Sequence, residues 1–469
     1  MALVLVGLMF LVVQLVIVRH PFGLSQDESN YLAKADPRVP ELYWTQPRAW
    51  GMPVLAAPVA VFSPGLTIYR LYFGFLSSAV LIAAFWPWLR VLRPAVAPAA
   101  ALFFSTIWFT AVFGSLVMPN LYVGLGAVAV TGMFLRAVHS PVWWRLALTA
   151  AAACFVALVR PTDSVLVMAP LFAIALVVAR LRRLEVLGAV VIGELVGWLP
   201  WLIEGYVRFG GPIERFRAAE TSGPAGLDLS SSNLLIFPRM LDGSPWYCCR
   251  GGTYGDAGPV PLTLMTWLVG VLVIAALGVV WSVSEGRLPE MMLVCLPAGL
   301  IAAFYLLLPG FTTLRFLLPA FALLSLAVAF ALVYAMRRWR KTTAVIIVAA
   351  LAGHVAPMLF LAERQMDAMW RWHSAQVQAV PALQPLVNEQ RCLVIANPPS
   401  PLAFYLGCRA QGLGTPKRQP RRVTQARAEG VFVLALLSAP PPPDSYIASW
   451  QQIPVPELAR RFRVYIPPA

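Results

Sequence analysis

The chain reads as an α-helical polytopic membrane protein with a small extracytoplasmic α/β domain at its C-terminal end. Three observations predict this. Of its 469 residues, 59% are hydrophobic and 12% charged, with a mean hydropathy of +0.73, a balance that a soluble globule of this length does not reach. Apolar runs of about 20 residues, the length needed to cross a ~30 Å hydrocarbon core, recur along most of the sequence. The runs lack the strict alternation of a barrel, and in lipid only helices and closed barrels satisfy their backbone.

Taken in order, the expected spans cover 2–18, 66–89, 96–116, 121–137, 144–159, 164–181, 185–204, 261–282, 289–308, 316–336 and 343–361, about eleven in all. Short basic connectors alternate correctly for the cytoplasmic side: Arg90 and Arg93, Arg136 and Arg145, Arg180, Arg182 and Arg183, Arg287, then Arg337, Arg338, Arg340 and Lys341. The connectors opposite are short or carry matched acids, as where Lys34, Arg38 and Arg48 accompany Asp27, Glu28, Asp36 and Glu41. This predicts a cytoplasmic N-terminus and an extracytoplasmic tail. The first apolar run has no basic n-region and no small-residue cleavage pattern, and is read as a retained anchor. A membrane bundle over 1–361, with outer loops at 19–65 and 205–260, is therefore followed by an extracytoplasmic domain over 362–469.

Within the first loop, "WGMPVLAAPVAVF" is too short to span and is interrupted by Pro53 and Pro58. It suits a helix lying along the membrane surface, or else belongs to a poorly delimited span. In the tail, "CLVIANP", "SPLAFYLG" and "VFVLALL" read as strand, helix and strand. Between them "GTPKRQPRRVTQARAEG" reads as a basic solvated loop, and "SAPPPPDS" as a stiff polyproline turn. Cys392 and Cys408 lie in the tail, where a disulfide can form and persist, while Cys248 and Cys249 are adjacent in the second loop. Cys154 and Cys295 fall inside spans as small packing residues. There is no CxxC pair and no HExxH among the four histidines, so no dedicated zinc site is expected.

The stretch "SQDESNY" (25–31) holds the least expected residues, two adjacent acids directly after the first span. A capping box accounts for Ser25 and Glu28, since a residue three places on reaches back to the free amide. It leaves Asp27 unexplained. Other polar residues sit where outer turns are expected: Asn120 in "SLVMPNLYVG", Arg160 in "LVRPTDS", and Arg315 in "TTLRFLLPAF". Arg70 stands about one turn inside the second span, where an ionisable group is expensive; it marks function, or it snorkels to the headgroups. Glu194, near mid-span, either pairs with an arginine or marks an acceptor channel. The aromatic segments "ELYWTQPRAW" and "SPWYCCRGGTYGDAG" suit interface anchoring or sugar stacking.

The DE pair after the first span, the amphipathic segment, the multi-helix bundle, the outer C-terminal domain and above all "RFLLPAF" together resemble the GT-C class of membrane-embedded glycosyltransferases. The branch in question includes protein O-mannosyltransferases and lipid A aminoarabinose transferases. The resemblance implies transfer of a sugar from a polyprenyl-phosphate carrier to an extracytoplasmic acceptor, which could be a glycan, a lipid or a protein. It implies Asp27 as catalytic base, ionised at neutral pH, with Glu28 organising the site. Reaction by single displacement would invert the anomeric centre. The departing phosphate calls for arginine, whose fork pairs with phosphate oxygens at two points. Arg315, Arg70 and Arg160 are the candidates, with Lys34 and Asn120 as further substrate-binding residues. Many relatives carry an acid where this sequence has Asn120, which puts a carboxylate-bound metal in doubt. A metal-independent mechanism is the economical reading, and a divalent cation held by Asp27, Glu28 and substrate oxygens is the alternative.

A transporter or flippase of lipid-linked saccharides is the alternative, with charges lining a midplane pathway. The notable charges cluster instead at the expected outer rim, and no inverted repeat is evident. A non-catalytic scaffold would make the DE pair and "RFLLPAF" coincidental. No nucleic-acid partner is expected. Lysine occurs only at Lys34, Lys341 and Lys417, and the bias to Arg, Ala, Pro and Val suits a GC-rich bacterial gene, which points to a bacterial plasma membrane.

Overall fold

The structure, a computed structural model, describes residues 1–17, 22–40, 42, 44–62, 65–222, 229, 231–243, 259–309, 312–387, 391–413, 420–458 and 461–468. The helices are α1 (Ala2–Ile17), α2 (Gln26–Ala35), α3 (Gly51–Ala60), α4 (Leu66–Phe85), α5 (Trp88–Val91), α6 (Val96–Ser105), α7 (Trp108–Phe113), α8 (Pro119–His139), α9 (Trp143–Val159) and α10 (Pro161–Val177). They continue with α11 (Leu184–Phe209), α12 (Pro212–Ser222), α13 (Ser232–Ile236), α14 (Leu262–Ser284), α15 (Leu288–Leu307), α16 (Leu318–Arg338), α17 (Arg340–Val387), α18 (Ser400–Leu406) and α19 (Arg421–Ala428). Five strands lie near the C-terminal end: β1 (Cys392–Ala396), β2 (Arg409–Gly412), β3 (Phe432–Leu437), β4 (Gln451–Ile453) and β5 (Arg463–Ile466). Two compact units result, one of Met1–Ile17, Thr45–Gly51 and Leu71–Gln365, the other of Val18–Trp44, Met52–Arg70 and Met366–Ala469.

In the first unit, α8 and α16 are apolar all round and almost wholly buried, as befits the centre of a bundle. Small residues let the neighbours close in. A Cβ on Gly124 would stand 3.2 Å from Pro319 Cα, so α8 and α16 start side by side. Gly193 and Gly197 of α11 abut Ala150 and Cys154 of α9, a small-xxx-small seam of the kind that brings membrane helices into van der Waals contact. The outer face of α11 exposes Leu195, Leu199 and Ile203, as a lipid-facing helix does.

Among the described residues, six stretches are long and apolar enough to cross a membrane: 66–91, α8, α11, α14, α15, and α16 with the turn before it. The expected spans at 2–18, 144–159 and 164–181 are present as shorter apolar helices. The expected span at 96–116 is broken into α6 and α7. Thr106 Oγ1 folds back onto the Leu102 and Phe103 carbonyls at 2.7 and 3.1 Å, and Ile107 takes an extended backbone (φ −66°, ψ 129°). That back-bonding and the β-branched residue after it end the ladder. The expected span at 343–361 and the polar segment after it form one continuous helix, α17.

The apolar stretch after residue 50 does form a helix, α3. It buries Met52, Ala56 and Ala60, one residue per turn, and exposes Val54, while the turn after it exposes Val61 and Phe62. In the second unit the sheet runs β2-β1-β3-β5-β4, with β2, β1 and β3 parallel and β5 and β4 antiparallel. The strand, helix and strand read from "CLVIANP", "SPLAFYLG" and "VFVLALL" are β1, α18 and β3. Alternation sorts their side chains: Val394, Ala396, Leu434 and Leu436 pack with α17 and α18, while Leu393, Ile395, Val433 and Ala435 pack with α19. The basic stretch expected as a solvated loop is helical over Arg421–Ala428, because Val423 and Ala426, three apart, dock on the sheet and leave the arginines outside. Cys392 and Cys408 are joined as a disulfide. Cys248, Cys249, Tyr43, Trp246 and Tyr247 lie outside the described residues.

Candidate active site

The expected site residues fall into two groups, one in each unit. Asp27, Glu28, Lys34 and Arg70 belong to the second unit, and Asn120, Arg160 and Arg315 to the first.

In the second unit the capping box is formed. Ser25 Oγ accepts from the Glu28 amide at 3.4 Å, and Glu28 Oε2 accepts from the Ser25 amide at 3.0 Å. Ser29 Oγ donates to the Ser25 carbonyl at 2.9 Å. The first two bonds satisfy helix-start amides that would otherwise be orphaned. Glu28 does more than cap. Its carboxylate also takes Arg70 at both oxygens, through Nη1 on Oε1 and Nη2 on Oε2 at 3.2 Å, and both side chains are 0% exposed. Arg70 Nη2 further donates to the Phe22 and Gly23 carbonyls at 3.3 and 3.2 Å, and the guanidinium lies 4.2 Å from the centre of the Phe22 ring. Arg70 therefore does not snorkel. It holds the residues before α2 and the first turn of α2 together.

The second unit grips α2 from other sides as well. Tyr405 Oη accepts from the Leu24 amide at 2.9 Å, and Gln26 Oε1 accepts from the Ser400 amide at 3.0 Å, which joins α2 to α18. Ala33 and Leu42 enter the core that α17, α18 and the sheet form. Asp36, buried at the end of α2, takes Arg38 in a two-point pair at 2.8 and 3.0 Å. Burial pushes the Asp36 carboxyl up, but the bonds from Arg38 outweigh it and the net shift is down. His373 on α17 stands beside this cluster, its ring centre 6.5 Å from that of Phe22. Burial pushes the His373 ring down to about 4, against the pull of Glu28 and with the push of Arg70. Its Nδ1 is buried with no hydrogen-bond partner among the described residues.

Asp27 is half-buried where Glu28 is fully buried. Residues 27, 31 and 34 share one stripe of α2, so Asp27, Tyr31 and Lys34 form a row. Lys34 Nζ lies 5.4 Å from the centre of the Trp44 ring, which meets Tyr31 edge-on at 6.0 Å. Tyr31 was not singled out from the sequence, although its place four residues after Asp27 is the signal that finds it.

In the first unit, Arg160 and Arg315 come together on one ring. The Arg160 guanidinium is 4.8 Å and that of Arg315 5.6 Å from the centre of Phe316, the first aromatic of "RFLLPAF". Phe316 stacks on Tyr305 at 4.8 Å. Tyr305 Oη donates to Asp163, which is fully buried and 3.6 Å from Arg160. Asp163 and Tyr305 were not anticipated, and "RPTDS" contained the signal, an acid three residues after Arg160. Both arginines are half-buried. Asn120 begins α8, next to the turn that carries Arg315; it is 1% exposed, and its Nδ2 has no hydrogen-bond partner among the described residues. Glu194 does not pair with an arginine among the described residues. It accepts from Ser164 Oγ at 2.8 Å, which in turn accepts from Trp198 Nε1 at 3.2 Å.

Two solved structures of ArnT from Cupriavidus metallidurans, one bound to undecaprenyl phosphate and one in the apo state, superpose on the chain with TM-scores of 0.66 and 0.62. Each alignment covers 98% of this chain and 97% of ArnT at 15% identity. The archaeal oligosaccharyltransferase AglB from Archaeoglobus fulgidus, in complex with an inhibitory peptide and a dolichol-phosphate, gives 0.53 over 92% of this chain and 69% of its own at 12% identity. The chain has a GT-C fold. No protein-family model matches the sequence, and no curated relative matches it either. At such identities the GT-C likeness extends to the course of the backbone.

Among the described residues, no three His, Cys, Asp or Glu side chains group as a metal site. The donor chemistry agrees: Glu28 already accepts from Arg70 and the Ser25 amide, so a cation there would compete with a buried guanidinium.

Proposed function

We propose that this multi-pass membrane protein is a glycosyltransferase that moves a sugar from a polyprenyl-phosphate-linked donor to an extracytoplasmic acceptor, with inversion. One observation carries the assignment of roles: the two adjacent acids are in unlike environments. Glu28 is fully buried and engaged by Arg70 and the Ser25 amide, so it cannot reach a substrate proton without giving up a buried ion pair. Asp27, held on the same rigid helical turn, is half-buried. A base needs access to the acceptor and a fixed position, and the partial exposure of Asp27 together with its place on α2 supports that role. Arg70 then acts as a positioning residue for the DE pair rather than as a phosphate ligand.

In this reading the acceptor hydroxyl attacks the anomeric carbon and Asp27 takes its proton. The C–O bond to the lipid phosphate breaks, and the polyprenyl phosphate leaves. Arg160 and Arg315, both stacked against Phe316, supply the positive charge for that phosphate. The buried amide of Asn120 offers a neutral donor to sugar or phosphate oxygens. Lys34 contributes a further cation in the Asp27 row. The GT-C fold, seen in a protein bound to undecaprenyl phosphate and in one complexed with dolichol-phosphate, supports a lipid-linked donor.

The test is transfer of radiolabelled sugar from a panel of polyprenyl-phosphate sugars to cell-envelope acceptors by the purified protein. Asp27→Asn should lower turnover by ~10²- to 10⁴-fold, the usual contribution of a general base, with unfolding unchanged. Equal rates for parent and variant would remove Asp27 as base. Movement of the lipid-linked sugar across vesicles without transfer would favour the transporter.

A further inference from the structure

A pocket of about 500 Å³ opens at one edge of the C-terminal sheet, far in kind from the acids and arginines discussed above. Its floor is the carboxyl end of all three parallel strands: Ala396 and Asn397 follow β1, Leu413 follows β2, and Leu437 and Ser438 close β3. Topology explains why a cleft forms there. From β1 the chain passes through α18 to β2 on one side, and then through α19 back across β1 to β3 on the other. Helices α18 and α19 consequently pack on opposite faces of the sheet. Between β1 and β3 the chain thus reverses its winding, and in open α/β sheets ligands bind outside the carboxyl ends of strands at such a point. The volume is that of a small-molecule site.

The lining selects the ligand. Gln376 and Asn397 offer side-chain amides, and Ser438 and Ser445 hydroxyls, groups that both donate and accept. The Gln376 amide is fixed by donating from Nε2 to the Pro398 carbonyl at 2.9 Å. Prolines 440–442 and Phe462 add flat apolar faces. None of the described lining residues is charged, although the tail is rich in arginine. A second cleft in the same unit, by contrast, is lined by Arg409 and Arg422. An anion would be drawn there, and would find no counter-charge among the described residues that line the sheet-edge pocket. Paired donors and acceptors beside flat apolar faces, without charge, match the hydroxyls and C–H faces of sugar rings.

We propose that this pocket is a binding site for a neutral saccharide chain, carried by the C-terminal sheet. Binding requires no turnover and is independent of the transferase reading. The full-length protein in detergent is titrated with neutral oligosaccharides (mannan, glucan and arabinan fragments) and with uronic-acid and phosphorylated counterparts, by calorimetry and saturation-transfer NMR. Neutral fragments should bind, and Asn397→Ala and Phe462→Ala should each weaken them about tenfold, the effect of one lost hydrogen bond or packing face. Asn397 is exposed, so its variant keeps the fold even where that of Phe462 does not. Ser438→Glu, a charge at the rim, should also weaken them. The proposal is overturned if no neutral fragment binds, if the anionic ones bind better, or if Asn397→Ala and Ser438→Glu leave affinity unchanged.

Discussion

Removing Arg70 tests the central claim that one buried ion pair sets the posture of the DE pair. At the 3.2 Å between Arg70 Nη2 and Glu28 Oε2, two unit charges attract by about 5 kcal/mol at an effective dielectric of about 20. Desolvation has already been incurred by both groups, so deleting one partner strands the other, at a typical cost of ~3–5 kcal/mol. Arg70→Met keeps the bulk of the chain but leaves the Glu28 charge buried, and also strips a donor from the Phe22 and Gly23 carbonyls. Glu28→Gln keeps the capping geometry, since glutamine serves at the third helical position, and removes the charge instead. The double variant leaves neither charge stranded. Equilibrium denaturation in detergent, read by intrinsic fluorescence, should therefore give an Arg70→Met loss of ~3–5 kcal/mol and a double variant milder than the sum of the singles by about 2 kcal/mol or more. Protease cutting within residues 22–40 should rise in step. Additive singles, or an Arg70→Met protein as stable as the parent, would refute the reasoning and make Arg70 a candidate phosphate ligand again.

Other expectations follow from the same geometry. His373 is held neutral, at about 4 in the fold against about 6.5 unfolded, so the unfolded chain takes up a proton first as pH falls. The stability that the neutral ring supports is complete above about pH 6.5 and is lost progressively down to about 4; His373→Asn should flatten the fall of the unfolding midpoint across that range. Arg315→Ala should raise the KM for the lipid donor by about 10- to 100-fold, the worth of a charge-assisted bond to phosphate, at unchanged unfolding midpoint, and an unchanged KM would remove Arg315 from the site. Tyr305→Phe withdraws the hydroxyl from buried Asp163 and should draw Arg160 further onto that carboxylate, so donor KM should rise in steady-state kinetics. Arg215, wholly buried on α12, pairs with Glu204 at 3.0 Å and donates to the Gln46 and Arg48 carbonyls at 3.0 and 2.9 Å. Arg215→Met should destabilise the protein by ~3–5 kcal/mol in the same denaturation assay while leaving KM for the donor unmoved.

Much of this protein is local, and local structure is legible in the residues themselves. The membrane class followed from composition and run length, most helices from where those runs start and stop, and the capping box from the three-residue spacing of Ser25 and Glu28, because each depends on neighbours along the chain. The strand, helix and strand after Cys392 were readable for the same reason. What depended on the tertiary fold was every partnership across distance. Glu28 with Arg70, 42 residues on, and Tyr305 with Asp163, 142 apart, leave no periodic trace, since an ion pair or hydrogen bond constrains only two positions. The short strands β2 and β5 exist because β1 and β3 offer them unpaired edges, β4 because β5 does, and α19 is a helix because the sheet buries Val423 and Ala426. The split at Thr106 and Ile107 turned on which backbone group a single hydroxyl met. Residue type thus told which groups were costly to bury; the fold alone decided what each was buried against.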